Sequence, residues 1–380
     1  MASTTIPATT GITRLMSLDV LRGITIAFMI LVNNNGDEAH SYWPLRHSLW
    51  NGCTPTDLVF PTFLFLVGIS LVFSTESRLA HGQSKSSLLA HALRRTAILI
   101  LLGLLVNGFP MFPWATLRIY GVLQRIALCY CFGSLIYLAS RRVSDKILLL
   151  AAALLGYWVL MRWVPVPGFG VPGHNMPILD KDANLVAWLD RHIFPGRLYE
   201  GTRDPEGLLS TLPALGTTLI GILTGIWLRT KKYAPPKIAW GLLLAAIVGL
   251  LSGSVWNHWF PINKKLWTSS YVLYAAGWSL LLLAAFYWWI EVKQKQRGLW
   301  PWLVFGKNSI LCYVFAELFQ SVLTSIRMQK YPTLQRDIFL HIQALLPSPP
   351  LASLAYALGM VAFCWTVAYP LYRKGIFLKV

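Results

Sequence analysis

The sequence predicts an all-α, polytopic membrane protein of about ten transmembrane helices, with a re-entrant or interfacial hairpin between the first two. Three observations carry that expectation. The 380 residues are 55% hydrophobic and only 13% charged, with 17 tryptophans, which is outside the range of ordinary soluble domains. The apolar residues gather into successive runs of about 20, the helix length that crosses roughly 30 Å of hydrocarbon. Lysine and arginine cluster in alternate connections between those runs, the asymmetry expected of a membrane protein with a fixed orientation. The runs and their connections account for the chain, so residues 1–380 read as one integral-membrane domain.

Residues 1–14 hold no apolar run and are expected to form a flexible N-terminus. They lack the basic region, apolar core and cleavage site of a removable signal peptide. Spans are expected near 19–36, 55–75, 93–110, 121–140, 146–164, 208–229, 237–256, 266–290, 302–326 and 351–371. Arg78, Lys85, Arg94 and Arg95 separate the second from the third, and Arg141, Arg142 and Lys146 the fourth from the fifth. Arg229, Lys231, Lys232 and Lys237 follow the sixth, Lys293, Lys295 and Arg297 the eighth, and Arg373, Lys374 and Lys379 close the chain. All these cations fall on one side of the bilayer, which the positive-inside rule makes the cytoplasmic side and the side of both termini.

The opposite side is poorer in cations, and its longest loop, 165–207, sets Lys181, Arg191, Arg197 and Arg203 against six acids. Prolines and glycines in VPVPGFGVPGHNMP exclude regular helix, whereas NLVAWLDRHIF reads as a short amphipathic helix. The loop is expected to be an outward-facing lid. No internal repeat is visible, which argues against a carrier built from two related halves.

The net charge of +18 does not point to nucleic acid, because the cations are dispersed in short clusters rather than gathered in one patch. Cys53, Cys129, Cys131, Cys312 and Cys364 form neither a disulfide framework nor a zinc spacing, and no metal site is expected. Walker, HExxH, Rossmann and GxSxG motifs are absent.

Ionisable groups at membrane depth are costly, and each is a candidate for function. Asp19 and Arg22 open the first span three residues apart, spaced either to pair locally or to leave Arg22 for an anion. The stretch from Val32 to Pro61 then places Asn33, His47 and Asp57 at the opposite face. Asn33 can donate to a carbonyl or an oxyanion. His47 can move protons or act as a nucleophile, and a carboxylate such as Asp57 orients an imidazole for either role. Asp57 also suits a helix start in TPTD.

Arg125, with Gln124 beside it, lies about one turn inside the fourth span with no acid within seven residues, so it needs a partner from another span or a ligand. Asp57 is the natural suggestion for it. Asp204 and Glu206 precede the sixth span, either as caps or as anions for an amine. Asn263 and Lys264 lie on the same face, and Asn308 and Glu317 occupy the ninth span.

The segments RLMSLDVLRGITIAFMILVNN, RHSLWNGCTPTDLVFPTFLFLVGIS, LRIYGVLQRIAL, DPEGLLSTLP, PINKKLWTSSYVL, KNSILCYV and PLYRKGIFLKV together resemble the heparan-α-glucosaminide N-acetyltransferase family. Seven blocks in one order span nearly the whole chain. They are similar to the transmembrane portion of the lysosomal enzyme and to bacterial relatives without its extra N-terminal region. The resemblance implies transfer of acetyl from cytoplasmic acetyl-CoA to the amino group of a terminal glucosamine on the far side of the bilayer.

The family's active histidine falls on His47, with Asn33 and Asp57 at neighbouring family positions. Asp204, Glu206, Asn263 and Lys264 match blocks expected near the acceptor, and Arg22, Arg95 and Arg125 match basic positions expected near CoA. The match is loosest over NNNGDEAHSYWP and 165–207, so the acceptor expected here is a small amino sugar or a cell-wall glycan. The chain is expected in a bacterial inner membrane, with a homodimer through its eighth and tenth spans. The rival expectation from another class is an amino-sugar or sugar permease whose path the same polar residues line.

Overall fold

In a computed structural model, the structure of the protein is described for residues 15–193, 196–230, 232–328 and 332–378. The N-terminal stretch 1–14 lies outside the described residues. Among those described there are thirteen α-helices and no strands, only three isolated bridges. Among the described residues nine helices are long and apolar enough to cross a membrane: α1 (Met16–Asn33), α2 (Val59–Ala80), α3 (Lys85–Gly108), α4 (Val122–Ala139), α5 (Val143–Trp163), α7 (Thr211–Leu228), α8 (Pro235–Trp256), α9 (Ser269–Tyr287) and α13 (Pro349–Arg373). α6 (Leu185–Ile193) lies in the long loop, where an amphipathic helix was expected, and α12 (Leu334–Leu345) precedes α13.

The expected straight span 302–326 is instead two helices, α10 (Trp300–Lys307) and α11 (Ser309–Ser325), bent by 80°. The bend has a physical cause at Asn308. Its amide donates to the Ile376 carbonyl at 3.2 Å and accepts the Leu378 N–H at 3.1 Å, so the side chain holds the C-terminal tail at the break. On the other side α10 lies against α1 so closely that a Cβ on Gly23 would stand 1.8 Å from the Trp302 carbonyl oxygen, and one on Gly306 2.0 Å from that of Asp19. Small residues permit such helix crossings without side-chain interdigitation. Gly68 of α2 and Gly221 of α7 make the second such crossing.

The helices divide by burial into a core and a lipid-facing set. Apolar windows of α1, α2 and α7 are 67%, 72% and 67% buried, against 22% for α3 and α5 and 28% for α8. Exposed Leu101, Leu148, Trp240 and Leu251 lie on those outer helices, where lipid tails are the solvent. The start of α1 has no cap of its own. Glu291, in the π-helical turn Trp288–Val292 that ends α9, accepts the Ser17 N–H and hydroxyl, both at 3.0 Å. A carboxylate there also suits the positive end of the helix dipole. With α1 anchored at that end, its other end delivers Asn33 to the site.

Candidate active site

α1 ends because Asn34 folds back on it, its side chain donating to the Ile30 carbonyl at 2.8 Å. The chain then crosses 34–54 with a single 3-10 turn at Trp43–Leu45, and Asn35 ties the two sides together by donating to the carbonyls of Val32 and Leu45. The hairpin expected between the first two spans is therefore an irregular loop sewn shut by side chains.

Asp57 stands where Thr54 starts the next helix. Its Oδ2 accepts the Thr54 N–H at 3.0 Å, the Thr54 hydroxyl at 3.1 Å and the Ser48 N–H at 3.0 Å. Its Oδ1 lies 2.7 Å from Nδ1 of His47. The Tyr271 hydroxyl, from α9, donates to the Asp57 carbonyl at 2.5 Å and fixes the backbone beneath it.

A carboxylate so held defines the imidazole. The Asp57 side chain is fully buried and that of His47 is 36% exposed, so the carboxylate forms the floor and the ring the working surface. With Nδ1–H given to Asp57, the lone pair of the neutral ring sits on Nε2. His47 faces a pocket of about 50 Å³ that it shares with Asn33, Thr56, Glu206 and Lys264. The Asn33 amide donates to Glu317 of α11 at 2.9 Å, which orients the amide and leaves its second N–H for the pocket.

The loop before α7 reaches this pocket through Glu206. Arg118 grips Asp204 with two bonds of 2.7 and 2.6 Å, reaches Glu206 at 2.6 Å, and lies 4.7 Å from the Tyr199 ring centre. Burial works against the charge of both partners, but the ion pairing outweighs it. The Arg118 pKa is raised and that of Glu206 is lowered, the latter with help from Lys264 and Arg125. Nothing in the local sequence signals Arg118, because its partners lie 86 and 88 residues away.

Arg125, 1% exposed, does not meet Asp57. It donates to the Gly207 carbonyl at 2.9 Å and to Ser210, and lies 5.0 Å over Trp267, so it buttresses the corner that presents Glu206. Gln124 is buried beside the bare backbone of Gly103 and Gly121. Asp190 of α6 joins the same corner. It accepts the Leu208 N–H at 3.0 Å and a bond from Tyr120, and burial pushes its pKa up to about 7.

Asn263 is fully buried and takes part in scaffolding, donating to Asn51 at 3.2 Å and accepting the Leu266 N–H at 2.9 Å. Asn308, holding the C-terminal tail, does not line the His47 pocket.

At the basic face a second cavity, of about 510 Å³, opens between α1, α2, α3 and α10, with Asp19, Arg22, Arg78, Arg95 and Lys307 in its wall. Arg22 is spoken for by Asp19 at 3.2 Å and by the Ser70 hydroxyl at 2.6 Å. Arg95 lies 4.4 Å from the Tyr130 ring centre, and Lys307 lies over Tyr372 and Phe377 at 5.1 and 5.3 Å. Among the described residues no carboxylate pairs with Arg78, Arg95 or Lys307.

Between the two cavities lies a small apolar neck of about 10 Å³ that shares walls with both. Phe63, Ile126 and Ile310 line both the neck and the basic cavity, and Met29 and Val122 line both the neck and the His47 pocket. Sequence reasoning found Arg22 and Arg95 but missed Arg78, which read only as a member of a charge cluster, and Lys307, which stood unremarked in KNSILCYV.

Comparison with known proteins gives this arrangement a family. Residues 14–257 match the family described as heparan-alpha-glucosaminide N-acetyltransferase, catalytic. The heparan-alpha-glucosaminide N-acetyltransferase of Homo sapiens is 31% identical, and that of Mus musculus 29%; each alignment covers 97% of this chain and 60% of the relative. The chain thus spans about three fifths of the length of the curated relatives it matches. With more than half of its residues inside the family match, the chain belongs to the heparan-α-glucosaminide N-acetyltransferase family.

Proposed function

We propose that this protein is a transmembrane N-acetyltransferase that takes acetyl from acetyl-CoA at its basic face and delivers it to the amino group of a glucosamine-type sugar at the opposite face. The observation that carries this is the line of three spaces: a cation-lined cavity, an apolar neck, and a small pocket bearing a His–Asp pair. Arg78, Arg95 and Lys307 suit the phosphates of CoA, with arginine offering its planar fork and lysine a point charge. The neck suits an uncharged pantetheine arm and excludes the charged groups at either end. By the positive-inside rule the basic face is cytoplasmic, as are both termini, and the bilayer is a bacterial inner membrane.

The chemistry follows from the geometry of His47. Asp57 fixes the ring with its Nε2 lone pair toward the pocket and stabilises the imidazolium that forms. Nε2 attacks the thioester carbon, the C–S bond breaks and the thiolate of CoA leaves toward the basic face. The free N–H of Asn33 lies on the same pocket wall, placed to donate to the acyl oxygen as negative charge develops on it. The acceptor amine then enters from the other side and takes the acetyl from Nε2. Lys264 and Glu206 offer opposite charges to a sugar at the pocket mouth. All these groups come from one chain, so a homodimer is not needed to complete the site.

The test is to incubate the purified protein with radiolabelled acetyl-CoA, quench in denaturant and count label on wild type and on His47→Ala. Label on the wild type that discharges to glucosamine, and none on the variant, is the expected result. Undiminished acetyl transfer by His47→Ala would sink the proposal, and uptake of unmodified sugar into vesicles without acetyl-CoA would replace it with a permease.

A further inference from the structure

The acceptor sets a demand that the His47–Asp57 pair cannot meet. An amino sugar is largely an ammonium ion near neutral pH, and its nitrogen has no lone pair for attack until a proton is removed. In the two-step transfer proposed above, Nε2 of His47 carries the acetyl group at that moment and Nδ1 is bonded to Asp57. The ring therefore has nothing with which to take the proton.

The other acids near the pocket are engaged as well. Asp57 already accepts three further hydrogen bonds on its second oxygen. Asp204 is gripped twice by Arg118, and Glu206 is paired with the same guanidinium, which keeps it ionised and weakly basic.

Glu317 differs from all of these. One of its oxygens accepts the Asn33 amide at 2.9 Å, no cation forms an ion pair with it among the described residues, and the residue is only partly covered by the protein. Asn33 is also a wall of the His47 pocket, so the carboxylate stands one hydrogen bond from the space where acetyl and amine meet.

We infer that Glu317 is the proton acceptor for the sugar ammonium in the second half of the reaction. The inference rests on the two-step reading. The Glu317 carboxylate takes one proton from R–NH3+, leaving R–NH2 and a carboxylic acid. The nitrogen lone pair forms a bond to the acetyl carbon while the carbon–Nε2 bond breaks, and Nε2 keeps the electron pair of that bond. The surplus proton on the new amide nitrogen passes to the outer solvent, as does the proton held by Glu317, which resets both groups.

The surroundings of Glu317 suit this role. From α1 it meets the neutral Asn33, and the remaining α1 charges, Asp19 and Arg22, lie at the far end of that helix. α3 brings no charged side chain beyond Arg95, and α13 none before Arg373. On α12, Arg336 is turned to Asp37 at 3.1 Å, and Asp337 and His341 face each other at 3.6 Å. The loop before α4 supplies Arg118 at longer range, Lys307 of α10 lies over Tyr372 and Phe377, and Tyr313 and Tyr199 are further ionisable neighbours.

The experiment separates the two half-reactions on the full-length protein. Wild type, Glu317→Gln and Glu317→Asp are loaded with labelled acetyl-CoA, freed of excess donor, and discharged with glucosamine or with an aniline-type amine that is already unprotonated at neutral pH. Loading should persist in all three, slowed by no more than about threefold where the change loosens the Asn33 amide, and discharge is read per acetyl group loaded. Discharge to glucosamine should fall about 100-fold or more in Glu317→Gln and less in Glu317→Asp, whereas discharge to the aniline should change by less than about threefold. In Glu317→Gln the glucosamine rate should also climb about tenfold per pH unit until the amine titrates itself, a dependence that wild type lacks.

Equal discharge by all three proteins overturns the assignment of Glu317. So does a defect of the same size for both amines, which would make Glu317 structural. Failure of the wild type to take label at all sinks the two-step reading itself, which is a different result.

Discussion

Inside the cavity at the basic face Arg78, Arg95 and Lys307 stand without a carboxylate partner among the described residues, whereas across the bilayer the frame around the small pocket is tied by ion pairs. Arg118 meets Asp204 and Glu206, Arg203 meets Asp182 and Glu200, and Lys265 meets Glu200. The spaces differ in the same sense, about 510 Å³ against about 50 Å³. Matched charges hold a frame in place, while unmatched ones in an open cavity await a mobile counter-charge. One end of the molecule is therefore built for binding and the other for positioning, and substitutions should divide along that line.

The largest effect belongs to the positioning end. Asp57→Asn should cost on the order of 10³-fold in acetyl transfer, by losing the ring orientation that fixes Nε2, with CoA affinity unchanged by isothermal titration. An equal fall in CoA affinity would break the division. Between the ends, Val122→Phe should fill the neck and slow loading of acetyl onto the protein by about 100-fold, since small misplacements of reacting atoms are that costly. CoA should still bind it, and a variant that loads normally would remove the neck from the path.

Arg95→Ala and Lys307→Ala should each weaken CoA binding by about tenfold, close to 1.4 kcal/mol, whereas Arg203→Ala should leave it alone and lower stability by about 1 kcal/mol or less.

The smallest effect sharpens the outer end alone. The Asp190 pKa is raised in the folded protein to about 7 from the ordinary 3.8, so its contribution to stability is fully present below about pH 4 and is lost as pH rises through 7. Asp190→Asn should abolish that component, seen as a flatter difference in melting temperature between pH 4 and 7. A variant whose melting curve tracks wild type at every pH would count against a buried, protonated Asp190.

Much of this was legible in the sequence, for reasons that differ by residue. The spans were readable because burial in lipid demands long apolar helices whatever the tertiary contacts. The pairing of His47 with Asp57 was readable because both flank one short loop, and TPTD places the carboxylate at a helix start. The bend at Asn308 was not readable, since it depends on a tail 68 to 70 residues later and on a close crossing with α1. Nor was Arg125, whose charge pointed to an outer carboxylate; the actual partners are a backbone carbonyl and a serine brought in by the chain more than 80 residues on. α12 did leave a signal that went unread. Thr333 caps it by accepting the Arg336 N–H, and an apolar face follows that buries Phe339 against Gly36.

The grip of Asn308 on the tail has a practical corollary. Phe377 and Leu378, which that grip steadies, are themselves walls of the cation-lined cavity, and so is Leu15 at the other limit of the described chain. The two limits of the described chain thus share the wall of one cavity. A dye pair attached at Leu15 and Leu378 would serve as a gauge of whether that cavity is occupied.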